Sequence, residues 1–155
     1  MEDQKKLFIR LEVTWWLITA ILAVIIVLPI YLKVGSYPFL WDNLLFIAAF
    51  ITFTRLIFFL RYTLIAEKKN IKIILFFLCL LMVFILIQKV NQFQIYIDEK
   101  GMESVIGAIS YGEKAGLVSY IRKEMLFFGI GSAISAILLP LRLLKSIWHD
   151  VNSKR

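Results

Sequence analysis

The stretch VTWWLITAILAVIIVLPIYL, residues Val13–Leu32, decides the fold because it carries no charged side chain over its whole length. At a rise of about 1.5 Å per residue, a helix of about 20 residues crosses the roughly 30 Å hydrocarbon layer of a bilayer. The run is too long for the apolar part of a signal peptide, and no small-residue cleavage site precedes Lys33. We therefore expect an uncleaved first transmembrane helix.

Three further apolar runs of similar length follow the first, at Leu40–Leu60, Ile71–Ile87 and Met125–Leu144. Hydrophobic residues make up 61% of the 155-residue chain and its mean hydropathy is +0.82. Soluble domains are only about 45–50% apolar, and so small a chain could not cover this much apolar surface. The sequence predicts an all-α, polytopic integral membrane protein with four transmembrane helices, forming one membrane domain over residues 1–155.

The net charge of +7 lies at the ends of the apolar runs rather than on one polar face. This placement indicates contact with the lipid bilayer and its anionic headgroups, and it argues against a nucleic-acid partner. Six basic residues lie in the first and third connections, against eleven in or bordering the N-terminal segment, the second connection and the C-terminal tail: Lys5, Lys6, Arg10, Arg61, Lys68, Lys69, Lys72, Arg142, Lys145, Lys154 and Arg155. By the positive-inside rule we expect both termini in the cytoplasm.

The third connection, residues 88–124, is too long for a simple turn and is expected outside the cytoplasm. Its segment Phe93–Ile97 alternates apolar and polar residues, which suits either a short strand or an extension of the third helix. Beyond Gly101, apolar residues recur at helical spacing and predict a short amphipathic helix on the outer membrane surface. This segment is either an external binding cap or a structural lid over the helices.

Small and polar side chains mark the faces on which transmembrane helices pack, because lipid provides no hydrophobic drive for association. Each of three spans has such a stripe: Glu12, Trp16, Thr19 and Ala23; Ala48, Thr52, Arg55, Phe59 and Tyr62; and Gly129, Ser132, Ala133 and Ala136. The third span contains no Gly, Ala, Ser or Thr. We expect it to be exposed to lipid or to face a partner through bulky side chains.

Arg55 is the one ionisable residue well inside a predicted span, and an intramembrane charge is a candidate functional residue. Three interpretations remain open. Arg55 pairs with Glu12 and joins the first two helices, it extends to the inner headgroups, or it belongs to an ion or substrate site.

No catalytic, cofactor-binding or metal-binding pattern is evident elsewhere. Cys79 is the only cysteine and His149 the only histidine, so neither a dithiol pair nor two axial haem ligands can be formed. Asp42 and Asn43 begin the second span, where we expect them to cap a helix N-terminus.

These observations favour a non-enzymatic protein that acts through contacts with another membrane protein or with its own copies, as an accessory, assembly or immunity-type subunit. The alternative is a small oligomeric transporter or channel with Arg55 at the translocation path. The compact chain without targeting tails leads us to expect the bacterial inner membrane.

Overall fold

The computed structural model describes residues 2–66, 68–106 and 111–152, with side chains from Lys6 in the first helix and from Ala115 in the last. Within these residues the protein is entirely helical. The helices are α1 (Glu2–Lys33), α2 (Leu40–Phe59), α3 (Lys69–Lys100), α4 (Glu103–Ile106) and α5 (Tyr111–Asn152), with a 3₁₀ turn at Leu60–Tyr62. Four of them, all except α4, are long and apolar enough to span a membrane, which confirms the predicted number of such helices.

Helix packing follows the spatial order α1–α2–α5–α3, so α5 lies between α2 and α3 while α1 packs on the outer side of α2. Most of the core lies between α2, α3 and α5, where Phe46, Leu86 and Leu139 are completely buried. A smaller cluster of Ala23, Val27 and Ile47 joins α1 to α2. In the most apolar stretch of α3 only 17% of the residues are buried, whereas 44% are buried in the corresponding stretches of α2 and α5. The expectation of an exposed third span agrees with this low burial.

The two ends of the helix assembly are distinguished by their side-chain contacts. The end at which Glu12 contacts Arg55 and Lys72 contacts Asp150 is called the Arg55 end. The opposite end, at which Asn43 contacts Glu124, is called the Glu124 end. Helix α1 begins at the Arg55 end and α5 ends there, so the N-terminal part of α1 and the C-terminal part of α5 lie at the same end of the molecule.

The predicted connection 88–124 is mostly helical rather than irregular, because α3 and α5 both continue far beyond their apolar spans. Phe93 is buried on the extension of α3, and Leu117 and Ile121 are buried on the extension of α5. Segment 93–97 is therefore an extension of the third helix and not a strand. Beyond the continuous apolar runs, apolar residues still recur at helical spacing on both helices. The two helices therefore continue to pack against each other as a hairpin.

The α3 helix stops at Gly101, which has a φ of +72° and donates its N–H to the carbonyl of Ile97. Residues with a β-carbon rarely adopt that φ, so the glycine marks the helix end. The four-residue helix α4 follows and turns Val105 and Ile106 into the core, whereas Glu103 and Ser104 are exposed. Residues 107–110 of the predicted amphipathic segment lie outside the described residues.

Candidate functional site

Arg55 and Glu12 are brought together by the packing of α1 on α2. The Nη2 atom of Arg55 lies 2.8 Å from Oε1 of Glu12, and the side chains are 7% and 21% exposed. Arg55 also lies over the ring of Trp15, with its guanidinium carbon 5.6 Å from the ring centroid. The arginine thus has a carboxylate and an aromatic face as partners, while its buried Nε has no hydrogen-bond partner among the described residues. Such a set of contacts joins α1 to α2 at one end.

The packing face of α1 differs from the predicted stripe at one position. Trp16 is 58% exposed and points away from α2, whereas the neighbouring Trp15 is half-buried and its ring lies 6.0 Å from that of Phe59. Thr19 and Ala23 are buried as the stripe requires. Between Glu12 and Thr19, a stripe through Trp16 has spacings of four and three, and a stripe through Trp15 has spacings of three and four. Both fit an α-helix, so helical period alone could not distinguish the two tryptophans.

Gly129 and Gly131 of α5 lie where aromatic side chains of α2 approach its backbone. A β-carbon at Gly129 would lie 2.7 Å from Cγ2 of Val90 and 3.3 Å from a ring carbon of Phe46. One at Gly131 would lie 2.9 Å from the ring of Phe50. Gly129 therefore contacts both neighbouring helices, which is the role that small residues have in transmembrane packing.

The remaining predicted packing residues divide between buried and partly exposed positions. On α5, Ser132 and Ala136 are fully buried, Ala133 is 8% exposed, and Ser132 donates to the carbonyl of Gly129. Ala48 and Thr52 on α2 are half-buried, and neither belongs to the α1–α2 cluster. A polar contact between α2 and α5 is instead made by Thr54 and Ser135, whose hydroxyl oxygens are 3.2 Å apart.

A buried polar cluster of Tyr37, Asn43 and Glu124 occupies the Glu124 end, and the sequence analysis did not identify it. Asn43 Nδ2 donates to Glu124 Oε2 at 2.8 Å, and all three side chains are buried. The Tyr37 hydroxyl, Asn43 Oδ1 and Glu124 Oε1 have no hydrogen-bond partner among the described residues. Burial, with a contribution from the Glu124 carboxylate, raises the pKa of the Tyr37 phenol above its ordinary value, so this group is a neutral donor.

The capping role predicted for Asp42 and Asn43 is wrong. Phe39 is the N-cap of α2 and no side chain caps that helix. Asn43 turns inward to Glu124, and Asp42 forms an ion pair with Lys89 of α3, with Oδ1 and Nζ 3.1 Å apart. The signal for a buried carboxylate was present in the sequence, because Glu124 shares a helical face with the apolar residues Leu117, Ile121 and Phe128.

Substitution of Glu124 by glutamine is expected to preserve or increase stability. The glutamine carbonyl can still accept from Asn43 Nδ2, and its amide group supplies a donor for the unpartnered Asn43 Oδ1. Glu124→Leu instead leaves the buried Asn43 amide unpaired, which costs about 1–3 kcal/mol. Unfolding in mixed detergent micelles should place the glutamine variant near the wild type and the leucine variant below both. Equal loss in the two variants would show that the charge itself is required.

A groove between α3 and α5, called the α3/α5 groove, has a volume of about 720 Å³. Its wall on α5 is apolar and includes Ala133, whereas its wall on α3 carries three amide side chains, Gln88, Asn91 and Gln94. The three amides are exposed and recur every three residues along one face of α3. None of them has a hydrogen-bond partner among the described residues.

The position of the groove along the helices follows from the contact between Val90 of α3 and Gly129 of α5. Gly129 is the fifth residue of the predicted span 125–144, whereas Asn91 lies four residues beyond the predicted span 71–87. The α3/α5 groove therefore lies near the ends of two predicted spans, on the side of the Glu124 end.

The part of the chain that the structure describes contains no group of three or more His, Cys, Asp or Glu side chains that could hold a metal ion. Cys79 is fully buried in α3 and forms no disulfide. Comparisons with protein-family models, with curated protein sequences and with solved structures return no match. The function of the chain must be argued from the geometry alone.

Proposed function

We propose that this chain is a non-enzymatic integral membrane protein that acts through protein–protein contacts in the bilayer, as an accessory or assembly subunit. Its α3/α5 groove binds one transmembrane helix of a different membrane protein. The single observation that carries the proposal is the row of unpartnered amides, Gln88, Asn91 and Gln94, along an otherwise apolar groove.

In lipid no water hydrogen-bonds to an exposed amide, so an unpaired amide side chain there has an unfavourable free energy of about several kcal/mol. Polar side chains at membrane depth therefore usually pair with a neighbouring helix. A helix with a serine, threonine, asparagine or glutamine facing Asn91 would supply both donors and acceptors. Partner binding therefore removes an unfavourable exposure as well as filling a groove.

The shape of the groove argues against a symmetric contact between two copies. In a two-fold dimer the same surface faces itself, and two concave grooves would leave a void between them. The exposed apolar residues Val24, Ile25 and Leu28 of α1 carry no polar group that could pair with the amides. A helix of another protein satisfies both the shape and the hydrogen bonding.

Filling the groove tests the proposal. Ala133→Phe places an aromatic ring in the groove and is expected to abolish stoichiometric co-purification of a partner from mild detergent, as measured by mass spectrometry. Ala20→Phe is the matched control, because Ala20 is exposed on α1 far from the groove. Equal partner recovery with both variants, or a homogeneous homo-oligomer in place of a partner, would contradict the proposal.

The alternative function is a small oligomeric transporter or channel with Arg55 at the translocation path. One observation favours it, because the buried Nε of Arg55 lacks a partner among the described residues. This alternative predicts labelling of cysteines at Ala48, Thr52 and Ala133 by a water-soluble thiol reagent. The helix-binding proposal predicts that Ala48→Cys and Thr52→Cys remain unlabelled, since these half-buried positions lie within a predicted span that lines no water-filled path.

We further propose that the protein resides in the bacterial inner membrane with both termini cytoplasmic and the connection between α3 and α5 on the outer side. The distribution of basic residues supports this orientation, and the shared location of the two chain ends at the Arg55 end is compatible with it. The exposed Glu103 and Ser104 beside the buried Val105 and Ile106 support a short amphipathic helix in that connection. Reporter tags at the two ends should give the same cytoplasmic signal.

A further inference from the structure

A cavity of about 230 Å³ lies at the Arg55 end, between the 3₁₀ turn, the first turn of α3 and the last turns of α5. We call it the basic cleft, because four cationic side chains line it: Arg61, Lys72, Arg142 and Lys145. His149 and Ser146 also line it, and Asp150 is its one acidic lining residue. The cleft thus holds a net positive charge in a partly enclosed space.

The acidic residue is already engaged. Lys72 is buried, with 1% of its side chain exposed, and its Nζ donates to Asp150 Oδ2 and to Ser146 Oγ. Arg142 donates through Nε to the carbonyl of Ile57 at 3.2 Å. Arg61 and Lys145 are exposed and have no carboxylate partner among the described residues. Arg61, Arg142 and Lys145 therefore have no counter-charge among the described residues.

The first turn of α3 adds to this positive potential. A helix N-terminus carries a partial positive charge and favours acidic neighbours. Here Lys68 is the N-cap, Lys69 and Lys72 follow it, and the turn contains no acidic residue. This arrangement is unfavourable for the isolated protein, and an anion bound in the cleft would relieve it.

We propose that the basic cleft binds a phosphate group, carried by an anionic lipid headgroup or by a phosphate-bearing solute. Arg61 and Lys145 make the outer contacts, Arg142 uses its remaining guanidinium N–H groups, and Lys72 is held at the base by Asp150 and Ser146. Basic pockets between transmembrane helices at the headgroup level are suited to this chemistry. The inference is independent of the α3/α5 groove, which lies elsewhere on the molecule.

The test is native mass spectrometry of the detergent-purified protein titrated with phosphatidylglycerol, with phosphatidylcholine, or with soluble glycerol 3-phosphate. We expect phosphatidylglycerol to bind more tightly than phosphatidylcholine. Arg61→Gln with Lys145→Gln should weaken that binding by roughly 30-fold, from the usual contribution of two basic residues to contact with anionic lipid. Neither side chain has an ion-pair or hydrogen-bond partner in the part of the chain that the structure describes, so this variant should still fold.

The matched control is Arg122→Gln with Lys123→Gln, which removes the same charge from exposed positions of α5 at the Glu124 end. Loss of phosphatidylglycerol binding in the cleft variant alone supports a lipid headgroup, and loss of glycerol 3-phosphate binding in that variant alone supports a solute. Equal weakening in both variants would overturn the proposal, because the effect would then reflect net charge. So would an absence of preference for phosphatidylglycerol together with no binding of glycerol 3-phosphate.

Discussion

Reversal of Arg55 to glutamate is expected to give the largest loss of folded protein of any single charge change in this chain. Arg55 is 7% exposed and its guanidinium contacts Glu12, so the variant would place two carboxylates at one buried position. Breaking a buried ion pair costs about 3–5 kcal/mol, and the partial exposure of Glu12 favours the lower end of that range. Size-exclusion chromatography of a fluorescent fusion would measure the fraction of monodisperse protein.

The double reversal, Glu12→Arg with Arg55→Glu, is expected to recover part of that loss, because it restores opposite charges across the same contact. The cation–π contact with Trp15 is not restored, so recovery should be incomplete. Arg61→Glu is the control, since Arg61 lies on the next turns of the same segment and is exposed. Unchanged yield in Glu12→Arg, Arg55→Glu and the double variant would show that the contact does not stabilise the fold.

Replacement of Gly129 by leucine is expected to separate α5 from one or both of its neighbours. A β-carbon alone would lie 2.7 Å from Val90, and the buried Phe46 on the opposite side leaves little room for that helix to move. Overpacking of a tight interior typically costs about 1–3 kcal/mol, and this site contacts two helices, so we expect a loss of about 3 kcal/mol. Unfolding by SDS titration in mixed micelles would measure it.

Gly116→Leu is the matched control on the same helix. A β-carbon at Gly116 meets no atom within 4 Å, and glycine is a poor helix former. This control variant should therefore be neutral or more stable by up to about 1 kcal/mol. A similar loss in both variants would mean that α5 does not require close approach at Gly129.

The contacts between helices were only partly predictable. Gly129, Ser132 and Ala136 could be assigned to a packing face because small residues recurred at helical spacing. The choice between Trp15 and Trp16 could not be made, because both positions fit an α-helical period. The pairing of Asn43 with Glu124 could not be predicted, since these residues are 81 positions apart and helical period relates only residues of the same helix.

The extent of the helices was also underestimated. Hydropathy marks where continuous apolar sequence ends, but α3 and α5 continue beyond it on alternating apolar residues that pack against each other. Lys72, which the sequence analysis counts among the basic residues of the second connection, is buried in the structure because the last turns of α5 reach it and place Asp150 beside it. A charged residue near a span end can be solvated or enclosed, and only its neighbours in space decide which.

Residue order alone was enough to predict four helices that are long and apolar enough to span a membrane, because the bilayer sets the length of an apolar run and obliges its backbone to hydrogen-bond within itself. Those constraints act locally along the chain. The order α1–α2–α5–α3, the inward turn of Asn43 and Glu124, the α3/α5 groove and the basic cleft required the tertiary structure. They arise from contacts between residues distant in sequence, and neither helical period nor hydropathy determines which faces of two helices will meet.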